Sequence, residues 1–385
     1  MSEQTIFKEL EEEQKKLIYA EGDTGVEEEQ ILSEETIIEP FDPTQIRVAQ
    51  LPMTIDLICA RIRENELDLY PDFQRKAGIW KEGAQSRLIE SMLIRIPLPA
   101  FYFDGTDDDH WLVVDGLQRL TAIKRFVIDK TLKLVELEFL TELNGKGFDE
   151  LTRGFQRRIL ETQIVVYKIE KGTPENVKFN IFKRINTGGL PLSAQEIRHA
   201  LYQGKATRLL NELAESKEFK QATDYGIRDT RMADRECVLR FLAFTLVPYT
   251  EYKVPDLDRF LNETMVRINK MSDKEIENLR KQFYRTMRAA RAIFGNNAFR
   301  KYYGEGYYRS PINKALLEAW SVNLNKLSDQ QIELLIQRKE LLKRKFASLM
   351  HDPDFERSVS QGTGDIKKVR IRFGAIERII KEVLS

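Results

Sequence analysis

The sequence predicts an α+β domain followed by a mainly α-helical domain. Between residues 46 and 200, short β-branched or aromatic runs mix with stretches of helical spacing, without a regular βαβ alternation. From about 200 to 350 the apolar residues recur at helical spacing alone. Residues 1–40 show no sustained periodicity. The chain therefore divides into an acidic, mostly disordered tail (1–40), an α+β domain (41–200), a helical domain (201–350) and a basic strand/helix segment (351–385).

Taken in order, a short helix is expected at Ile6–Tyr19 and a strand at Ile46–Ala49. Thr54 is placed to cap a helix whose apolar positions are Ile55, Ile58, Cys59 and Ile62. Leu88, Ile89, Met92 and Leu93 mark a second helix. Ala100–Phe103 and Trp111–Val114 flank the polar loop Asp104–His110, the pattern of an antiparallel hairpin. Leu132–Phe139 and Gln163–Ile169 read as further strands. Pro174 opens a helix with Val177, Ile181, Phe182 and Ile185 inward, which stops at Asn186-Thr187-Gly188-Gly189. Ser193 with Glu196, Ser272 with Glu275 and Ser328 with Gln331 have capping-box spacing. Pro311 lies near a helix start ahead of Leu316, Leu317 and Trp320. Lys281, Arg285, Arg288 and Arg291 fall on one helical face, a basic stripe that is either solvated or a grip on phosphates. Asp365–Arg372 alternates and is basic, so Lys367, Lys368, Arg370 and Arg372 are candidate DNA contacts ahead of an amphipathic helix at Ile376, Ile379, Ile380 and Val383.

The most informative stretch is Trp111 to Ala122, WLVVDGLQRLTA. An apolar strand breaks at Asp115-Gly116, and Leu117, Leu120, Ile123, Phe126 and Val127 then recur at helical spacing. Asp115, Gly116, Gln118 and Arg119 thus sit where a strand becomes a helix, at the positive end of the helix dipole. Arg119 supplies a planar donor suited to phosphate, and Asp115 either caps the helix or holds a divalent metal. Asp before Gly is also an ordinary turn and cap pair. The chain has no Walker glycine–lysine loop.

VVDGLQRLTAI resembles the DGQQR motif of the N-terminal domain of GmrSD-type modification-dependent restriction systems, in the ParB-like nuclease superfamily. Further boxes follow in that family's order. These are Leu69–Arg75 with Trp80, Ser86–Leu93 with Ile96–Pro99, Phe182–Gly188 with Leu190–Ser193, and more weakly Arg231–Glu236 with Leu239–Ala243. Leu117 departs from the motif, standing where the family usually has glutamine. The resemblance implies a ParB-like fold and an NTP held with Mg2+. Asp115, Gln118 and Arg119 would do the chemistry, Asp115 holding the metal. Gln74, Arg75, Gly116, Arg119 and Asn186 would bind the phosphates. It also implies a role in antiviral defence, with DNA and a partner nuclease or second subunit as partners.

Hydrophobic content of 42% and charged content of 32% fit a globular protein long enough for two cores. No apolar run reaches membrane-spanning length and no signal-peptide pattern opens the chain, so a cytoplasmic protein without membrane contact is expected, with homo-oligomers open. Cys59 and Cys237 read as core, and three histidines leave little material for a zinc site. The net charge of zero conceals an asymmetry. Residues 1–40 hold 13 acidic and 3 basic side chains, the rest 48 acidic and 58 basic, so an acidic tail precedes a basic body.

Three functions compete: a nucleotide-binding, NTP-hydrolysing DNA sensor or switch of a restriction-type defence system, a non-catalytic DNA-binding regulator on the same scaffold, and a self-sufficient metal-dependent nuclease. The sequence argues against an HNH-type nuclease site, because His351 is the only histidine of the C-terminal third and lacks the partners that chemistry needs. On this reading Arg119→Ala would weaken nucleotide binding and leave folding largely intact.

Overall fold

The computed structural model describes residues 25–27, 29, 46–69, 80–185, 192–228 and 231–385. The chain forms two compact units. One is Pro40–Leu201; the other holds Tyr202–Ser385 together with the described residues of the N-terminal segment.

The first unit is built on a five-stranded sheet: β1 (Val48–Thr54), β2 (Leu67–Asp68), β3 (Phe101–Asp104), β4 (Trp111–Asp115) and β5 (Gln163–Ile169). Their spatial order is β1-β5-β3-β4-β2. β1 pairs antiparallel with β5 through Leu51↔Val166, and β5 parallel with β3 through Phe101↔Val166. β3 and β4 form the expected antiparallel hairpin through Phe103↔Val113, with a bulge before Tyr102 meets Asp115. β2 pairs parallel with β4. One face carries Phe101, Phe103, Trp111, Val113, Ile164 and Val166 into the main core. There they meet α1 (Ile55–Arg63), α2 (Glu82–Leu93), α3 (Leu117–Ile123) and α4 (Arg153–Leu160). Val114 and Ile169 point the other way, as strand alternation requires, onto Phe179 and Phe182 of α5 (Glu175–Ile185) and Ile197 of α6 (Ala194–Leu201). Thr54 accepts from the Leu57 N–H at the start of α1, and Ser193 and Glu196 make the reciprocal capping box at α6. In α5 the inward aromatic is Phe179 beside Phe182, while Ile181 is only half-buried. Lys178, almost fully buried, fastens α5 to the sheet through Asp104 (3.2 Å) and Thr106 (2.6 Å).

Leu132–Phe139 forms no strand. Its leucines at 132, 134 and 137 are buried, and its backbone is satisfied by the turn around Asn144–Lys146 and by α2 rather than by a strand ladder. Val135 N–H donates to Ser86 Oγ, and the N–H groups of Glu138, Phe139 and Leu140 converge on the Glu90 carboxylate at 2.7–3.0 Å. A side chain buried on one helix has taken the place of a ladder partner.

The second unit is helical: α7 (Lys205–Glu215), α8 (Lys217–Ala222), α9 (Ala233–Leu246), α10 (Leu257–Asn269), α11 (Asp273–Phe294), α12 (Lys314–Asn325), α13 (Asp329–Gln337), α14 (Lys339–Met350), α15 (Pro353–Ser360) and α16 (Ile366–Leu384). α9 and α12 are buried almost all round, as hydrophobic central helices should be. Ser272–Glu275 and Ser328–Gln331 are capping boxes. Asp365 caps α16, so the alternating basic stretch is the first part of a helix and not a strand.

A polar network crosses this core. Arg372, fully buried, pairs with Glu318, also fully buried. Arg240 pairs with Glu236 at 2.8 Å, and Lys314 with the other oxygen of Glu236 at 2.8 Å. The sequence predicts a mostly disordered tail before residue 40, yet Gly25–Glu27 and Glu29 are docked here. Val26 is buried, Glu27 N–H donates to Ile312 O (2.7 Å), and Ile312 N–H donates to Gly25 O (3.1 Å). Glu29 takes both terminal nitrogens of Arg240 at 2.7 and 2.6 Å and the Thr363 hydroxyl at 2.7 Å. The acid is ordered because it neutralises a cation buried among the helices. The helix expected at Ile6–Tyr19 lies outside the described residues.

Candidate functional site

The Asp115 turn is a strand-to-helix junction. β4 ends at Asp115, α3 begins at Leu117, and Gly116 is the N-cap with φ +99°. Only glycine takes this position without strain. A Cβ there would also lie 2.4 Å from Phe101 Cδ1, so the turn is locked by the core beneath it. Asp115 therefore does not cap α3; its carboxylate is turned to Arg119.

Arg119 is held on all sides. Its Nη1 donates to Pro99 O. Its Nη2 donates to Ala100 O at 3.0 Å and to the Asp115 carboxylate at 2.8 Å. The guanidinium lies over the Phe101 ring, 4.2 Å from its centre. The side chain is 10% exposed, that of Asp115 22%. Arg119 thus joins the entry to β3 with the exit from β4, and its fork is spent on protein acceptors. This geometry stands against the expectation of an arginine directed at phosphate. Burial pushes the Asp115 carboxyl above its ordinary range against the pull of Arg119 and of the Gly116 N–H. Burial likewise lowers Arg119 against the pull of Asp115. In both partners desolvation outweighs attraction.

Two further groups meet at this turn. Gln118 Oε1 accepts from the Trp80 N–H at 3.2 Å, holding the first described residue after the box that carries Gln74 and Arg75. Tyr102, opposite Asp115 in the β3–β4 register, stacks on Tyr167 of β5 with ring centres 5.0 Å apart. Its hydroxyl is pushed up by burial, then by Tyr167 and by the charge of Asp115. The sequence reading missed both tyrosines; period-2 alternation in β3 and β5 marks them as one-faced, but only the register brings them together. Asp115, Gly116, Gln118 and Arg119 are thus one local constellation. Gln74, Arg75 and Asn186 lie outside the described residues. Among the described residues no group of three or more His, Cys, Asp or Glu side chains is placed to hold a metal ion. A small hollow nearby is apolar, lined by Leu112, Phe182, Leu192 and Ile197 among others, and has no chemistry for phosphate.

The C-terminal candidates separate. Lys367 and Arg370 are exposed, and Lys368 is half-buried with Nζ donating to Gln361 O at 2.7 Å. Arg372 is withdrawn as a DNA contact, since it is fully buried against Glu318 and Ser358 O. The period of α16 turns it inward beside Val369 and Phe373, whereas an alternating strand would have aligned it with Lys368 and Arg370. The stripe on α11 is largely neutralised: Arg285 pairs with Asp329 at 2.6 Å and Arg291 with Asp224 at 3.0 Å.

Residues 56–203 match the family model described as the GmrSD restriction endonuclease, N-terminal domain. The chain carries a GmrSD-type N-terminal domain. The matched span runs from α1 through α6 and includes four of the five strands and the whole Asp115 turn. Over this span the chain is similar to a domain of restriction-type defence systems. No curated protein matches the chain. Among the described residues no helix is long and apolar enough to cross a membrane.

Proposed function

We propose that the GmrSD-type domain is a nucleotide-dependent switch that binds an NTP with Mg2+ at the Asp115 turn and couples its hydrolysis to engagement of DNA. One observation carries this reading. At the C-terminal end of a strand inside the sheet, Arg119 fixes a part-exposed carboxylate beside the first turn of a helix. Ligands of open sheets gather at such ends, and the helix start favours anions.

The residues fit a magnesium nucleotide better than a resident metal. Mg2+ is commonly bound through one or two carboxylates, with phosphate oxygens and waters completing its shell. Asp115 is the one carboxylate the turn offers. When bound, the ion would neutralise charge developing on the phosphoryl oxygens. Asp115 would hold it or orient the attacking water, and Gln118 would position a phosphate or that water. Arg119 keeps Asp115 in place and reaches phosphate only through its field. Gln74, Arg75 and Asn186 are the proposed phosphate contacts, on the strength of the family motif. Lys367, Lys368 and Arg370 are proposed DNA contacts, and a nuclease or second defence subunit is the proposed partner.

Titration of the full chain with ATP and GTP in Mg2+, with phosphate release measured with and without DNA, tests this. Asp115→Asn, which keeps the shape of the turn, should lower turnover by about a hundredfold or more, the low end of losses on removing an acid–base group. A parent protein that neither binds nor hydrolyses an NTP under either condition sinks the proposal. The engagement of Arg119 with the backbone favours a second reading, a DNA-binding regulator without turnover. Nucleotide binding with no phosphate release would select it.

A further inference from the structure

The helical unit presents three tyrosine rings to solvent. Tyr225, Tyr307 and Tyr308 are 68%, 64% and 53% exposed, far more than side chains of their size in a folded core. Tyr225 belongs to the loop after α8, the other two to the loop between α11 and α12. Three contacts tie these loops together. Arg309 pairs with Asp224 at 2.8 Å, Arg291 of α11 pairs with the same carboxylate at 3.0 Å, and Arg300 donates to Thr223 O at 3.1 Å. The Asp224–Arg309 pair leaves Tyr225 and Tyr308 each one residue from a common contact.

Two features argue against an incidental surface. Asp224 and Tyr225 both lie in the left-handed region, at φ 54° and 53°. These residues close the C-terminus of α8, with Tyr225 N–H donating to Lys220 O at 2.8 Å, and this fixes the loop that carries the Tyr225 ring. The charge is also unbalanced. Two guanidinium groups, Arg291 and Arg309, pair with the single carboxylate of Asp224, and a third, Arg300, donates to the adjoining Thr223 O. Arg300 is itself buried against the backbone of both loops, through Thr223 O and Ser310 O. Burial, then the neighbouring charge of Arg309, lowers its pKa to about 10. The large exposed side chains of the two loops are tyrosines, arginines and the single carboxylate of Glu305, without aliphatic ones.

We propose that Tyr225, Tyr307 and Tyr308, beside the Arg291–Asp224–Arg309 cluster in which one carboxylate serves two guanidinium groups, form a stacking platform for the unpaired bases of single-stranded DNA. Aromatic faces take any base, and adjoining cations follow the phosphates. A protein partner would find little aliphatic surface here and an excess of positive charge. Choosing DNA as the nucleic acid rests on the restriction-system reading; the stacking chemistry does not.

The test is fluorescence anisotropy on the full chain with a labelled single-stranded oligonucleotide and with its duplex. The single strand should bind more tightly. Each of Tyr225→Ala, Tyr307→Ala and Tyr308→Ala should weaken it by about fivefold or more, the low end for loss of one base stack. Tyr→Trp at the same positions should preserve binding, and melting temperatures should not move because the rings are exposed. Parental affinity in all three alanine variants overturns the proposal. So does binding lost equally for both DNA forms in Arg309→Ala but unaffected by the tyrosine changes, which would assign the surface to phosphate attraction alone. Failure of every DNA form to bind also overturns it and leaves a protein as the occupant. Single-strand binding by a chain that never binds an NTP would sustain this inference while sinking the nucleotide switch.

Discussion

Arg119→Ala removes four contacts at once and tests whether the motif arginine is a positioning residue. The variant leaves Pro99 O and Ala100 O without their charged donor, strips Phe101 of its stacked cation, and abandons the Asp115 carboxylate in a largely buried turn. A hydrogen bond to a charged group contributes about 1.5–3 kcal/mol, and breaking a buried pair by deleting one partner costs about 3–5 kcal/mol. These terms overlap, and Asp115 retains some water, so a loss of about 3 kcal/mol is expected for the unit spanning Pro40–Leu201. At about 2–4 °C per kcal/mol for a domain of this size, its melting transition should fall by about 6–12 °C. The deficit should depend on pH. Without Arg119 the Asp115 carboxyl, already raised by burial, rises further. A carboxyl whose folded pKa exceeds its unfolded value binds its proton more tightly when folded, so stability is gained as pH falls and lost as pH rises. The variant should therefore sit closer to the parent at pH 5 than at pH 8. Differential scanning calorimetry at both pH values reads this out. Arg119→Lys should fall between the two, keeping the charge but not the planar fork. A melting temperature for Arg119→Ala within a degree of the parent would refute the reasoning and return the arginine to the phosphate site.

Gly116→Ala should cost about 3 kcal/mol in denaturant unfolding, combining left-handed backbone strain with the Phe101 contact; an unchanged midpoint would show that the turn relaxes freely. Glu90→Gln should destabilise at neutral pH by about 2 kcal/mol, because one of the carboxylate oxygens that gather three N–H groups becomes a donor. Burial raises the Glu90 carboxyl, but the N–H groups of Leu140, Glu138 and Phe139 bring it below its ordinary value. Its contribution is thus complete above the unfolded pKa and disappears as pH falls through the folded one, so parent and variant should converge in acid titrations. Glu29→Ala should lower the stability of the helical unit by about 2 kcal/mol, the scale of a lost hydrogen bond to a charged group, since Arg240 keeps Glu236 as a partner; faster hydrogen exchange in α9 reads it out.

What the sequence made legible was local. Thr54, Ser193 with Glu196, and Ser272 with Glu275 carry their structural roles within three residues, and each caps a helix start as spacing requires. The Asp115–Gly116 break between strand and helix was visible for the same reason. Two kinds of information were not. Burial partners distant in sequence decide whether a polar residue is available, and nothing near Arg119 or Arg372 announces Ala100 O or Glu318. Backbone satisfaction is equally nonlocal: Leu132–Phe139 has strand composition, yet Glu90 and Ser86 supply the acceptors a strand would have offered. Tyr102 and Tyr167 became part of the site only through strand order.

The docking of Glu29 among the helices has a temporal consequence during synthesis. Glu29 leaves the ribosome before any helix that receives it, and its partner Thr363 follows 334 residues later. At about 5–20 residues per second that interval is roughly 15–70 s. The unit spanning Pro40–Leu201 has all its residues well before then, while the helical unit cannot finish until its last helices are made. Through most of that window Glu29 is a carboxylate awaiting Arg240 and Thr363, and the same cationic site on another chain is chemically equivalent to its own. Crowded translation of this message therefore favours exchange of N-terminal segments between chains, and slower, sparser synthesis favours each chain closing on itself.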